Sequence, residues 1–335
     1  MLRTRSVTKE PDRVFALAGV YKQLGIPFPA IKYEMPIGDL YWNFTRQVMA
    51  WVGNLEILTE LGGIRRLEME DVPSWVPDWG VRFERVVSKE NWLAAEHSKP
   101  DFRFAGEGSG RCGSEIVTKG FVIDKIVKTD VDVSNLKNGD RGMKVQDWES
   151  GREIKVFSRW IEMAKQMRIH ESSSPSDTKD SQLEDTERLF GVIHSETDFE
   201  IEDKDSLLAT FKKWTDFINS SNGTPATSFQ PSSPKEATVR SYHDQRCASL
   251  SKSCLFRTEK NRLGRGPTGM EEGDVVALLA GLRVPILLRE VVKEDNREMC
   301  VFQVVGAVFV DGSVMGGEVW REKEKVEEIR TLILV

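Results

Sequence analysis

Apolar and polar positions along this 335-residue chain change texture four times. Residues 1–95 read as helical with irregular connections. Pro11 to Val20 is a turn signal followed by an apolar run, with Asp12 placed to cap a short helix and Gly19 where it would stop. Asp39 is expected to cap a second helix, carrying Leu40, Phe44, Val48 and Trp51 or Val52 on one stripe. Leu55, Ile57 and Leu58 continue that surface, and Gly62 with Gly63 end it.

Residues 101–133 alternate with the period of a strand, through Phe102–Ala105 and Ile116–Val127. Between these lie Gly108, Gly110 and Gly113, which match G-x-G-x-x-G. A dinucleotide site needs a helix straight after the last glycine, whereas a β-branched run follows here, so a flexible hairpin loop is expected. From 140 to 250 the chain is polar and helical. Stripes run through Ile154, Phe157, Trp160 with Ile161, Ala164 and Met167, then Leu183, Phe190 and Ile193, then Leu207, Leu208, Phe211, Trp214, Phe217 and Ile218. Residues 170–181 and 219–234 are rich in Ser, Pro, Asn and Thr and read as surface loops that bury too little to order themselves.

Residues 254–320 are strongly β. Cys254–Thr258 is one strand, followed by turn chemistry at Lys260–Asn261 and the L-G-R-G-P phrase, whose Gly264 and Gly266 supply backbone freedom for a loop. Asp274–Arg289 reads as two strands around Gly281-Leu282, with Pro285 at a strand start or edge. Val301–Val310 is another strand, closed by Asp311-Gly312. Continuous apolar runs of this kind suit strands buried on both faces, as in a small barrel or sandwich. Arg321–Arg330 reads as a charged, solvated helix or turn, and T-L-I-L-V closes the chain.

Against this background the stretch from Pro73 to Trp79, P-S-W-V-P-D-W, is unusual. Each proline fixes its own φ and pushes the preceding residue, Val72 or Val76, toward extended geometry. Trp75 and Trp79 then become rigid plates on a stiff strap. Each ring buries roughly 150–250 Å² and wants an acceptor for its indole N–H. Such a strap serves either as a packing staple between two elements or as a ligand or partner platform, with Asp78 as a turn residue bonding its own backbone.

A net charge of −6 with no long basic run argues against nucleic acid, and no apolar run is long enough to span a bilayer. The N-terminus lacks the apolar segment of a secretory signal. Cys112, Cys247, Cys254 and Cys300 form no C-x-x-C pair and suit reduced thiols in a cytosolic or nuclear protein; the four histidines fall in no metal-ligand spacing.

Several phrases then resemble one family. P-D-R-V-F-A-L-A-G-V (11–20) is similar to the D-P-R-D-x-V/I-Y/F-A-L-L-G-L phrase of fungal heterokaryon-incompatibility (HET) domain proteins, and V-P-S-W-V-P-D-W (72–79) to their L-P-S-W-V-P-D-W. F-R-T-E-K-N-R-L-G-R-G-P, E-E-G-D-V-V-A-L-L-A-G, V-P-I-L-L-R and V-V-G-A-V-F-V-D-G-S-V-M-G-G-E resemble later phrases of the same family, in the same order. The family's A-L-S-Y-x-W-G and W-I-D-x-x-C-I-N-Q phrases have no match. The resemblance therefore implies a region C-terminal to the HET effector core, without the chemistry of that core.

The expected fold is α+β: a helical region over 1–95 ending in the Trp/Pro strap, then a β-barrel-like domain over 96–335 with a helical insertion at about 140–250. Strands from 102–127 should join those from 254–318. No catalytic, cofactor-binding or metal-ligating residue is assigned. Trp75, Asp78 and Trp79 are structural or partner-platform candidates. Arg257, Arg262, Arg265 and Arg289 are candidates for an anion-binding face, weighed against a solvated rim interspersed with Glu259, Glu271, Glu272 and Asp274. The implied function is regulatory or recognition work in allorecognition and programmed cell death, with a protein partner and no nucleic acid or membrane. The alternatives are an enzyme acting on a nucleotide-type ligand in the β-rich domain, or an inert truncated product.

Overall fold

In a computed structural model, the chain is described over residues 7–62, 69–81, 86–87, 92–95, 97–108, 111–130, 152–166, 180–194, 204–221, 233–250, 253–291, 300–325 and 328–335. The alternating run after residue 101 becomes β1 (Phe102–Gly108) and β2 (Arg111–Thr129), paired antiparallel as a hairpin. Gly113, the last glycine of the G-x-G-x-x-G match, lies in β2, so a strand stands where a nucleotide fold requires a helix.

β2 organises the sheet. At 19 residues it is long enough to serve several neighbours in turn. After β1 it pairs with β9 (Arg330–Leu334) through residues 116–120, with β5 (Val275–Leu279) through 120–125, and with β3 (Ser253–Thr258) through 126–129. Gly120 faces Arg330 on one side and Leu279 on the other. A Cβ there would lie 2.3 Å from the Leu278 carbonyl oxygen, so only glycine allows β5 to approach. β5 pairs with β6 (Ile286–Val291), β6 with β7 (Val301–Ala307), and β7 with β9 in parallel, which returns the pairing to β2. A second arm runs from β2 through β3 and β4 (Leu263–Pro267) to β8 (Phe309–Val310). Both strand groups thus share one nine-stranded sheet.

Several sequence expectations are corrected here. L-G-R-G-P is not a connection but the fully buried strand β4; its glycines let Phe256 and Phe309 close over it, and a Cβ on Gly264 would meet the Phe256 ring at 2.3 Å. The run 301–310 is two strands divided at Val308, whose N–H turns aside to Pro285 O. T-L-I-L is β9, whose pairing with β2 and β7 completes the circuit.

The N-terminal helices are α1 (Asp12–Phe15), α2 (Ala18–Gln23) and α3 (Ile37–Val52). Prolines, not the expected aspartates, hold the cap positions: Pro11 precedes α1 and Pro36 precedes α3. The Asp12 carboxylate accepts instead from the Tyr33 hydroxyl at 2.7 Å, and Gly19 lies inside α2. α3 buries Leu40, Tyr41, Phe44, Thr45 and Met49. It ends at Gly53 with φ 71°, which leaves Trp51 and Val52 on its exposed side rather than on the core stripe.

Among the described residues between β2 and β3 stand four helices, α4 (Arg152–Gln166), α5 (Asp180–Ile193), α6 (Lys204–Ser220) and α7 (Pro234–Leu250). They pack on rings: Phe157 meets Trp160 at 5.5 Å and Trp214 at 4.9 Å, and Trp214 meets Tyr242 at 5.6 Å. Met167 and most of the two low-complexity stretches lie outside the described residues. The charged run expected over Arg321–Arg330 is helical as far as Lys325, in α8 (Glu318–Lys325), while Arg330 begins β9; α8 buries Trp320 against Phe121. One apolar cluster runs from Val14 and Phe15 through the inserted helices to Leu332 and Leu334.

Candidate functional site

The strap is folded rather than straight. Val76 N–H returns to Pro73 O at 3.0 Å, and Val81 N–H to Asp78 O at 3.3 Å. Asp78 Oδ1 accepts the Gly80 N–H at 2.9 Å, the turn role open to an aspartate that bonds its own backbone. Trp75 is fully buried, stacks at 5.7 Å on Phe104 of β1, and donates its indole N–H to Ser114 O of β2 at 2.9 Å. Trp79 meets Phe44 of α3 and donates to Thr45 Oγ1 at 3.2 Å. Both ring systems are enclosed, so neither offers a platform. Ser74, a residue the sequence did not single out, completes the joint: its Oγ accepts the Val304 N–H of β7 at 2.7 Å and donates to Val335 O beyond β9. The strap ties α3, β2, β7 and the end of β9 together.

The arginines expected on one face are separated by the fold. Arg262 meets the buried Asp124 at 3.0 Å, and Asp124 Oδ1 also accepts the N–H groups of Lys125 and Lys260. Arg289 grips Asp274 through Nε at 2.7 Å and Nη2 at 2.9 Å, with Glu271 at 3.1 Å. The Asp274 partnership holds the Arg289 guanidinium above its ordinary pKa. These are paired structural charges, not an open anion face. Arg257 stays half-buried on β3. Arg265 overturns the rim reading: it is 0% exposed, with Nη2 donating to Val86 O at 2.5 Å and Nη1 reaching Ser253 Oγ at 3.4 Å.

Arg265 points to a seam where α5 and α7 meet β4. Arg188 of α5 pairs with Asp311 at 3.0 Å, and Asp311 Oδ1 accepts the Leu263 N–H of β4; α5 also buries Asp185. His194, just past α5, is 1% exposed. Its Nδ1 lies 2.9 Å from Phe190 O, which can only accept, so Nδ1 carries the proton. Nε2 is then the acceptor for the Tyr242 hydroxyl of α7 at 2.9 Å. Burial, partly opposed by the Phe190 hydrogen bond and reinforced by the charges of Arg246 and Arg265, pushes the His194 pKa down to about 4. Burial likewise raises the Tyr242 phenol, against the pull of Arg246. Arg246 of α7 lies over the Tyr242 ring at 5.6 Å, and its Nε and Nη1 are enclosed without an acceptor.

His243, the next residue, has the opposite tautomer. The indole N–H of Trp214 can only donate, and it lies 3.2 Å from His243 Nδ1. The proton of the neutral ring is therefore on Nε2, which faces Cys247 Sγ at 3.4 Å. With that nitrogen already protonated, His243 cannot take the thiol proton, so the pair lacks the arrangement of a cysteine nucleophile and its base. Burial pushes the His243 pKa down to about 4, with Asp244 opposing and Arg240 reinforcing. Among the described residues no His, Cys, Asp and Glu group is placed to hold a metal, and Cys247, Cys254 and Cys300 are free thiols. No helix among them is long and apolar enough to cross a membrane.

The seam and the paired charges fall largely in one segment of the chain. Residues 230–329 match the Het-6 beta-barrel domain. The matched domain is one associated with heterokaryon incompatibility, and the match lies in the C-terminal region. No curated protein and no solved structure matches the chain. The Het-6 segment supplies Tyr242, Arg246 and Arg265, whereas His194 and β2 come from outside it. The sequence missed His194, Tyr242 and Arg246 because they belong to no motif and meet only through the packing of α5 on α7.

Proposed function

We propose that this chain is a non-catalytic regulatory or recognition region of a HET-type allorecognition and cell-death protein, acting in the cytoplasm on a protein partner. In this reading β5, β6 and β7 of the matched segment close into a small barrel with β2 and β9, which lie outside it. The helical region 1–95 is held on the β-rich region 96–335 by the strap, and the four inserted helices form a recognition unit on one side. The Het-6 match is the observation that carries the reading. The internal use of the prominent carboxylates adds support: Asp124, Asp274 and Asp311 are each committed to an arginine and a backbone N–H.

The test is co-elution of the purified chain with a HET effector core expressed separately, with NAD turnover followed in parallel. A stoichiometric complex, with no turnover by this chain alone, is expected. Failure to bind any HET core at tens of micromolar, or NAD cleavage by the chain alone, would sink the proposal.

A further inference from the structure

Among the described residues two strands of the sheet pair on one side only, β8 with β4 and β1 with β2. β8 is two residues long and buried. β1 is seven residues long, and an edge of that length presents a row of N–H and C=O groups to which another chain can pair. Its register shows which groups face outward. Lys119 N–H donates to Asp101 O at 3.2 Å, so 101 and 119 form a bonded pair, and bonded pairs recur at every second residue. Arg103 and Ala105 therefore turn their backbone groups to Val117 and Glu115 of β2, while Phe102 and Phe104 turn theirs away. Among the described residues no hydrogen bond is made to those outward groups.

Each face of this edge carries an arginine without an ion pair. Arg46 of α3 stands over the Phe104 ring at 5.3 Å and the Trp42 ring at 5.7 Å. Its Nε is enclosed without an acceptor, whereas its Nη end is not enclosed. Arg103 is exposed, and because it adjoins Phe104 its side chain points to the opposite face. The described carboxylates of the hairpin, Asp101 and Glu115, pair with neither arginine, and Glu115 has a partner of its own. The Nη1/Nη2 end of a guanidinium takes both oxygens of one carboxylate. A strand added to β1 sets side chains beside Phe102 and Phe104 on one face and beside Arg103 on the other. Neighbouring residues of a strand point to opposite faces, so two adjacent acidic residues deliver one carboxylate to each arginine.

We propose that the outer edge of β1 is a docking site for an extended segment of a partner protein that carries two adjacent acidic residues flanked by apolar ones. The segment adds as a strand on the N–H and C=O groups of Phe102 and Phe104. The residue opposite Phe104 gives its carboxylate to Arg46, the residue opposite Arg103 gives its own to Arg103, and the flanking apolar residue covers Phe102. The edge serves the recognition role proposed above and rests on it for the protein that carries the segment. A peptide probe needs no HET core, so failure of the edge and failure of that role are distinguishable.

The probe is the peptide acetyl-T-V-E-E-V-T-amide, titrated into the full chain at low salt and followed by calorimetry and amide resonances. Saturable binding is expected, with slower hydrogen exchange at the Phe102 and Phe104 amides in the complex. Affinity should fall about tenfold in Arg46→Gln and about threefold in the more exposed Arg103→Gln. It should disappear when both glutamates of the peptide are replaced by lysine. Methylating alternate backbone nitrogens of the peptide should abolish binding in one phase and spare it in the other, as strand pairing requires, and this arm leaves the protein unaltered. Binding undiminished in Arg46→Gln, equal binding of the two methylated phases, or no binding at millimolar peptide would overturn the proposal. So would a concentration-dependent dimer with the Phe102 and Phe104 amides already protected, since a second copy would then occupy the edge.

Discussion

The helices of this chain meet the sheet at two joints built on different principles. At the strap, each indole N–H has an acceptor, Ser114 O for Trp75 and Thr45 Oγ1 for Trp79, and Ser74 joins β7 to the end of β9 through one hydroxyl. The strap's own side chains are satisfied, while Arg46 of α3, over the Phe104 ring, keeps its Nε enclosed without an acceptor. At the seam, rings and an ion pair do the packing, a histidine is held neutral, and Arg246 keeps two enclosed donors without acceptors. A joint that serves only to hold tends toward full satisfaction of its polar groups. An enclosed cationic donor without an acceptor gives up stability wherever it sits.

The largest effect should come from the strap. Trp75→Ala removes a fully buried ring and orphans the Ser114 carbonyl. A loss of about 3–5 kcal/mol is expected, measured by urea unfolding. A loss under about 1 kcal/mol would mean that the strap is not the fixed joint, and the contrast would collapse.

Acid should act at the other joint. His194 and His243 have folded pKa values lowered to about 4 from 6.5. The unfolded chain therefore binds protons that the folded chain refuses. The stability tied to this refusal is fully present above about pH 6.5 and is lost as pH falls toward about 4, by up to about 3 kcal/mol per histidine. Protonating His243 also sets its Nδ1–H against the Trp214 N–H, so amides of α6 and α7 should exchange faster before those of β2. Uniform exchange across both would show that the inserted helices are no separate weak point. Asp311→Asn comes next. It removes the charge paired with Arg188 while keeping an oxygen for the Leu263 N–H, and should cost about 1–3 kcal/mol. A neutral result would take the ion pair out of the account of the seam.

The two joints were unequally legible in the sequence. Proline geometry and two large rings announce a strap from local chemistry alone, although Ser74 needed the fold to bring Val304 and Val335 to it. The strands 102–129 and 275–291 follow from alternation and apolar runs. β4 hid behind its glycines, which usually signal turns but here admit the Phe256 ring and the Phe309 carbonyl. Helix α7 gives no clear apolar stripe, because part of its buried side is polar: Tyr242 and His243 sit where leucines would announce a helix. Its residues are satisfied by partners such as His194 and Trp214 on other helices, and single-sequence periodicity contains no such pairing. Arg265 read as surface for the same reason, since the cost of burying a charge is met by Val86 O and Ser253 Oγ, distant in sequence.

The smallest expected change is the most discriminating. Arg246→Met keeps an unbranched apolar stem over the Tyr242 ring while removing the guanidinium. Were Arg246 a staple like Trp75, its loss would cost the chain dearly. The substitution instead deletes two enclosed donors that bond to nothing and one of two positive charges acting on His194. Unfolding free energy should stay level or rise by up to about 1 kcal/mol, and the His194 pKa should move up from about 4 as a repelling charge disappears. A drop of 2 kcal/mol or more would show that Arg246 holds the seam together as the strap holds the other joint. The two joints would then differ in chemistry but not in purpose.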